Sequence, residues 1–228
     1  MGCFWVKKYK ALFLDFDGTL VDSESLLFDA YRQLLASFAK PASQQEFQGY
    51  IGPSLYEISN LIKKRHSLDL DVDQIYQRYI QFVELSYDTV LLMPGAQDFL
   101  DYVVAKGFRL YVVSSAPLSI VRRVLHRFGV LGCFEDFFTC ESVEKMKPDP
   151  SIYIHAMEET RLSVQDVLCF EDSVAGVKSA LGAGLKVIYL NKDFDKVIEI
   201  PKSENLRLYS SFLEILDNDV ASSILGEE

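Results

Sequence analysis

Cysteine and histidine are too few and too scattered to build a zinc site or a disulfide framework. Four cysteines (Cys3, Cys133, Cys140, Cys169) and three histidines (His66, His126, His155) are spread along 228 residues with no C-x-x-C pair. The thiols are expected to be reduced and the setting cytoplasmic. Positive charge is in the minority: 23 Lys and Arg stand against 33 Asp and Glu, a formal net charge of -10. Such a chain has no global field to gather a nucleic-acid backbone, so no nucleic-acid partner is expected. Long hydrophobic runs are missing too. The apolar stretches of MGCFWVKKYK are too short for a signal peptide or membrane span, and Val6 stands where a myristoylation signal after Gly2 has Ser or Thr. No membrane partner is expected. There is no internal repeat, low-complexity tract or linker rich in Pro, Gly or Ser. The negative balance also repels small anions at long range. A phosphate site here must rely on local charge: a metal ion, a lysine, or backbone N–H groups at helix starts.

What is present is an apolar chain, 49% hydrophobic and 13% aromatic, enough to bury a full core. Short apolar runs recur: ALFLDF (11–16), FRLYVVSS (108–115), FEDFFTC (134–140), DVLCFED (166–172), LKVIYL (185–190) and LRLYS (206–210). Such continuous runs suit strands covered on both faces. Helical patterns separate the later ones, for example GAQDFLDYVVAKG, and PLSIVRRVLHRFG with Pro117 near its start and Gly129 after it. Strands alternating with helices predict an α/β fold with a doubly wound, mainly parallel sheet, a Rossmann-like core. One interval breaks the rhythm. Residues 22–92 carry helical patterns (ESLLFDAYRQLLASF, LYEISNLIKKRHSL, VDQIYQRYIQFVELSY) and no convincing strand, which predicts a helical cap domain inserted into a core of residues 1–21 and 93–228.

In a doubly wound sheet, ligands bind beyond the carboxyl ends of the strands. The first run ends in Asp15-Phe-Asp17-Gly-Thr19 and the second in Ser114-Ser115. Lys147-Pro148-Asp149-Pro150 follows the third, and the fourth ends in Glu171-Asp172-Ser173. Together these put carboxylates, hydroxyls and an ammonium on one rim, a set that suits phosphoryl transfer. Carboxylates from two strand ends are hard oxygen ligands for Mg2+, while Lys147 and Ser114 can hold phosphate oxygens. One carboxylate can attack phosphorus and another can shuttle the proton.

Taken in order, DFDGTLVDSE, VVSSAP, KMKPDPSIY and FEDSVAG resemble the four motifs of the haloacid dehalogenase superfamily, in its branch with a helical cap after the first strand. The resemblance covers about residues 10–190. It implies a Mg2+-dependent phosphatase acting on a small phosphorylated metabolite. Asp15 would be the nucleophile that becomes an aspartyl phosphate, and Asp17 the acid that protonates the leaving oxygen and then activates water. Ser114, with the backbone N–H of Ser115, would clamp the phosphate, and Lys147 would bridge phosphate and Asp15. The metal would sit on Asp15, Asp172, the backbone carbonyl of Asp17, and Glu171 either directly or through a water. The resemblance also implies a cis Lys147–Pro148 bond. YIGPSLYE (50–57) is similar to a loop of phosphoglycolate phosphatase-like members.

Taken singly, these residues have plainer readings. Asp17 beside Gly18 suits a turn, Ser114 before Pro117 a helix cap, Lys147 a solvated surface, and Glu171-Asp172 the cap of SVAGVKSAL. KKRH (63–66) reads as a solvated helix face. At the level of function, a phosphomutase with the same intermediate is the alternative, and a receiver-like or phosphometabolite-binding protein the non-enzymatic one. A receiver domain would be about half as long and would lack the insertion, and none of the four motifs is lost. Leu27 stands where many members of the sugar-phosphate branch carry a histidine, which favours hydrolysis over the mutase. Neither the substrate nor the oligomeric state is legible in these residues.

Overall fold

The computed structural model describes residues 9–191, 201–217, 223 and 225; Cys3 and the reading of Gly2 and Val6 lie outside them. After β1 (Ala11–Leu14) the chain forms α1 (Glu24–Ala36), α2 (Gln44–Gln48), α3 (Leu55–His66), α4 (Val72–Ser86) and α5 (Ala96–Ala105). Then come β2 (Arg109–Val113), α6 (Leu118–Arg127), β3 (Asp136–Phe138), α7 (Ser151–Thr160), β4 (Val167–Glu171), α8 (Val174–Gly182), β5 (Lys186–Leu190), β6 (Leu206–Tyr209) and α9 (Phe212–Leu216). The six strands make one parallel sheet in the order β3-β2-β1-β4-β5-β6. This is the expected doubly wound α/β fold.

β1 is central because its residues are apolar on both faces. Leu12 and Leu14 point into one core with Phe99, Val121 and Phe212, while Ala11 and Phe13 point into the other with Tyr153, Val177 and Ala180. In register, Leu14 faces Val112 on one side and Phe170 on the other. Asp15, Val113 and Glu171 therefore leave the sheet at the same height. Strand order reverses between β1 and β4, which is the topological switch point where such sheets open a crevice for ligands.

The edge departs from the sequence reading. FEDFFTC yields only the three residues of β3, since the backbone N–H of Thr139 goes to Ser142 Oγ (3.0 Å) and not to another ladder bond. β6 is half-exposed, and no helix among the described residues is long and apolar enough to cross a membrane.

α1–α4 occupy the interval that carried no strand pattern. Tyr31 and Leu34 of α1, Ile58 and Ile62 of α3, and Tyr79 and Val83 of α4 are buried in their common interior. Capping boxes start α3 (Ser54 with Glu57) and α4 (Asp71 with Gln74). The sequence pattern did not single out α2, a five-residue helix that buries Phe47. The chain enters and leaves this helical unit side by side: Val21 and Leu92 form an antiparallel bridge, Asp22 N–H donates to Leu91 O, and Met93 N–H donates to Leu20 O.

Candidate active site

Asp15 follows β1 directly, and its backbone N–H continues the ladder to Phe170 O at 3.0 Å. Its carboxylate therefore stands beside Glu171, the last residue of β4. Two adjacent buried carboxylates need a cation between them. Lys147 supplies it, with Nζ donating to Asp15 Oδ1 (2.6 Å), Glu171 Oε1 (2.6 Å) and Val113 O (2.9 Å). An ammonium has three N–H bonds, and all three are used. A phosphate oxygen bound by Lys147 would have to replace one of these partners. Lys147 is 3% exposed, so the solvated-surface reading fails. The Lys147–Pro148 bond is cis. The Tyr153 hydroxyl also donates to Glu171 Oε1, and the Tyr153 ring centroid lies 5.2 Å from the ammonium.

Asp17 is more than a turn residue. Its Oδ1 accepts from Ser23 Oγ at 2.6 Å and from the Tyr87 hydroxyl. Between Asp15 and Asp172 the backbone passes through Gly18 with φ +74, and a Cβ there would lie 1.8 Å from Asp172 Oδ2. Only glycine allows the turn to lie so close to that carboxylate. Thr19 Oγ1 reaches Asp172 Oδ1 at 3.5 Å. The helix-cap readings of Glu171, Asp172 and Ser114 fail as well. Ser173 caps α8, accepting from Gly176 N–H at 2.9 Å. Ser114 Oγ accepts from Ala116 N–H at 3.0 Å, inside the turn before α6, while the first N–H of α6 goes to Glu141 Oε1 at 3.2 Å.

The helical unit closes over this rim. Ser115 Oγ donates to Gly52 O at 2.6 Å, within the 50–57 loop. Gly52 has φ +113, and a Cβ on it would lie 2.3 Å from Ala175 Cβ, so the loop sits on both the second strand end and α8. Ser23, Leu27, Gly52, Tyr87, Ser114 and Lys147 share one cleft with Asp15, Asp17 and Asp172. KKRH is elsewhere. Lys63 donates to Leu70 O, His66 lies 2.8 Å from Glu46, and only Lys64 and Arg65 have the exposed placement expected of a solvated face.

Burial makes the negative charges costly. It pushes the Asp15 carboxyl up to about 8, with Lys147 pulling it down and Glu171 and Asp17 pushing it further up. Asp172 is held well above the usual carboxylate range by burial, then by Asp15 and Glu171. Burial also raises Asp17, against the hydrogen bonds from Ser23 and Tyr87. Burial opposes the Lys147 ammonium, yet Asp15 and Glu171 more than offset this and keep it protonated. One carboxylate oxygen from each of Asp15, Glu171 and Asp172 lies within 4.8 Å of the others. An all-oxygen, acidic set crowded this closely fits a hard divalent cation such as Mg2+.

The geometry thus brings together all seven residues expected from the sequence: Asp15, Asp17, Ser114, Ser115, Lys147, Glu171 and Asp172. It adds Tyr87 and Tyr153, which had no local signal, and Ser23, which stood unread inside the DGTLVDSE stretch. A family model described as haloacid dehalogenase-like hydrolase matches residues 12–190. The chain is 30% identical over 201 residues to the 6-phosphogluconate phosphatase of Escherichia coli strain K12, covering 86% of this chain and 90% of that protein. It is 28% identical over 181 residues to a phosphorylated carbohydrates phosphatase of Thermotoga maritima (79% and 84%). Among solved structures, the β-phosphoglucomutase of Clostridium difficile superposes with a TM-score of 0.82 over 95% of this chain and 97% of that one; at 16% identity this likeness concerns the fold.

Proposed function

The chain belongs to the haloacid dehalogenase-like hydrolases, and from that premise we propose that it is a cytoplasmic, Mg2+-dependent phosphatase. It cleaves a small phosphate monoester through an aspartyl phosphate on Asp15, with residues 22–92 as a cap domain over a core of 1–21 and 93–228. The observation that carries this reading is Lys147 bonded to both Asp15 and Glu171, beside Asp17, at the switch point of the sheet. Release of phosphate from p-nitrophenyl phosphate with Mg2+, and its loss in chelator, is the first test; full activity in excess chelator contradicts the reading.

In this reading Lys147 fixes the rotation of the Asp15 carboxylate through Oδ1. An Asp15 oxygen attacks phosphorus, the bond from phosphorus to the ester oxygen breaks, and Asp17 gives that oxygen its proton. Water then attacks the aspartyl phosphate and Asp17 takes the proton back, releasing phosphate and free Asp15. Burial, which raises Asp17, favours the protonated form needed for the first step. Ser114 and the Ser115 N–H hold phosphate oxygens. Asp15, Asp172, the Asp17 carbonyl and Glu171, directly or through a water, would hold Mg2+, which would supply positive charge for the phosphoryl oxygens and favour the ionised form of Asp15. Leu27 in the cleft offers no proton or hydrogen bond to a sugar hydroxyl, which supports hydrolysis over the mutase reaction.

Two predictions follow from the electrostatics. Tyr87→Phe removes a donor that stabilises the Asp17 carboxylate, so the Asp17 pKa rises and the pH profile of kcat shifts upward on that limb, with kcat falling about tenfold. A drop in kcat with an unmoved profile separates Tyr87 from Asp17. The second concerns the metal. Because the folded pKa of Asp15 is raised to about 8 and that of Asp172 is also raised, protonation of these groups favours the fold. The contribution of these two groups to metal-free stability is then fully present below the unfolded carboxylate pKa of about 4 and is lost as pH rises through their raised folded values. Mg2+ binds the ionised form, so its effect on Tm in a thermal melt is larger at pH 8 than at pH 5.5. An equal shift at both pH values contradicts this assignment.

A further inference from the structure

The cleft is acidic at its floor and hydrocarbon along most of its walls. Leu27 of α1, Phe47 of α2, Ile51 in the loop before α3, Leu55 and Ile58 of α3, and Ile120 of α6 all line it. Among the described residues, the charged side chains that line it are Asp15, Asp17, Glu24, Asp172 and Lys147, four carboxylates to one ammonium, of which Asp15 and Asp172 are the metal's in the phosphatase reading. That ammonium is already committed to Asp15, Glu171 and the Val113 carbonyl. Four hydroxyl protons of the lining are committed as well: Tyr50 donates to Glu46 Oε1 (2.7 Å), Ser115 to Gly52 O, and Ser23 and Tyr87 to Asp17.

A leaving group with a second anion would therefore sit beside Glu24 and apolar side chains with no cation among the described residues to meet it, losing its hydration without replacement. An alkyl or aryl group gains from every carbon it removes from water against Phe47, Leu55, Ile58 and Ile120. We propose that the site selects a phosphate monoester whose leaving group is uncharged and predominantly apolar, and discriminates against esters bearing a carboxylate or a second phosphate. This proposal rests on the phosphatase reading and specifies its substrate class. It sets the chain apart in specificity from the 6-phosphogluconate phosphatase to which it is similar.

The test is kcat/KM on a homologous series of ethyl, butyl and hexyl phosphate, whose leaving groups differ little in acidity. Alongside it run 2-phosphoglycolate, which is the carboxylated counterpart of ethyl phosphate, and 6-phosphogluconate, with p-nitrophenyl phosphate as a general probe. The expected result is a rise of about fourfold per methylene buried, with 2-phosphoglycolate at least about tenfold below ethyl phosphate. Ile51 is 37% exposed, so Ile51→Arg can place a cation at the rim without disturbing the core. It is expected to raise kcat/KM for 2-phosphoglycolate and to lower it for the alkyl series. If p-nitrophenyl phosphate and all the esters are inert, the phosphatase reading fails and the specificity falls with it. If p-nitrophenyl phosphate is hydrolysed but 2-phosphoglycolate or 6-phosphogluconate outruns hexyl phosphate, the phosphatase reading stands and the specificity is overturned.

Discussion

Asp15→Asn is expected to lower kcat by roughly three to six orders of magnitude, as the loss of a covalent nucleophile does. The amide keeps the size of the side chain and an oxygen that can accept from Lys147 Nζ, so the fold has no reason to fail. The metal-free variant is in fact expected to melt at or above the wild-type temperature at pH 8. Burial holds the Asp15 pKa up near 8, against the attraction of Lys147, because the ionised form is costly there. Asparagine removes that charge from the neighbourhood of Glu171 and Asp172. Lost turnover with retained Tm, measured on one preparation free of contaminating phosphatase, separates chemistry from folding. Turnover within about tenfold of wild type would remove Asp15 from the nucleophile's place.

Lys147→Met is expected to lose both activity and stability. The side chains of Lys147, Asp15 and Glu171 are 2%, 9% and 0% exposed, so the substitution leaves two carboxylates buried without their cation and the Val113 carbonyl without its donor. Breaking a buried ion pair from one side costs about 3–5 kcal/mol. Asp15 can reduce that cost by taking up a proton. Because Lys147 lowers the Asp15 pKa, its loss raises that pKa further, and the destabilisation is smaller at pH 5.5 than at pH 8.5. Urea unfolding in chelator at the two pH values checks both size and sign. A loss under about 1 kcal/mol at pH 8.5, as for an exposed pair, would show that the ammonium is not the cation that makes the acidic pair tolerable.

The parts of this site that lie on strand ends were legible in the sequence because a buried parallel strand is an unbroken apolar run, and its end is marked by the first polar residue. Asp15 after ALFL and Glu171 after VLCF are both found in this way. Lys147 was legible from its setting in KMKPDPSIY, although its burial was not, since nothing local distinguishes an ammonium in the interior from one in water. Tyr87 lies 70 residues from Asp17, beyond the last turn of α4, and reaches it only because Val21 and Leu92 bring the two crossings of the helical unit together. The contact from Ser115 to Gly52 is of the same kind, 63 residues apart in sequence. Tyr153 reads as an ordinary buried face residue of α7 until its hydroxyl is placed on Glu171. Helix α2 is missed and β3 is drawn too long because five-residue and three-residue elements carry too little periodicity to be measured.

The most direct test of the account is chemical capture of the intermediate. Enzyme mixed with excess hexyl phosphate and Mg2+ is quenched in acid within the first turnovers and reduced with borohydride, which converts an aspartyl phosphate to homoserine; peptide mass then locates the change. The account predicts homoserine at position 15, present with wild-type protein and absent without substrate or in Asp15→Asn. The same protein releasing phosphate at full rate with position 15 unmodified, or with homoserine at position 17 or 172, would contradict it.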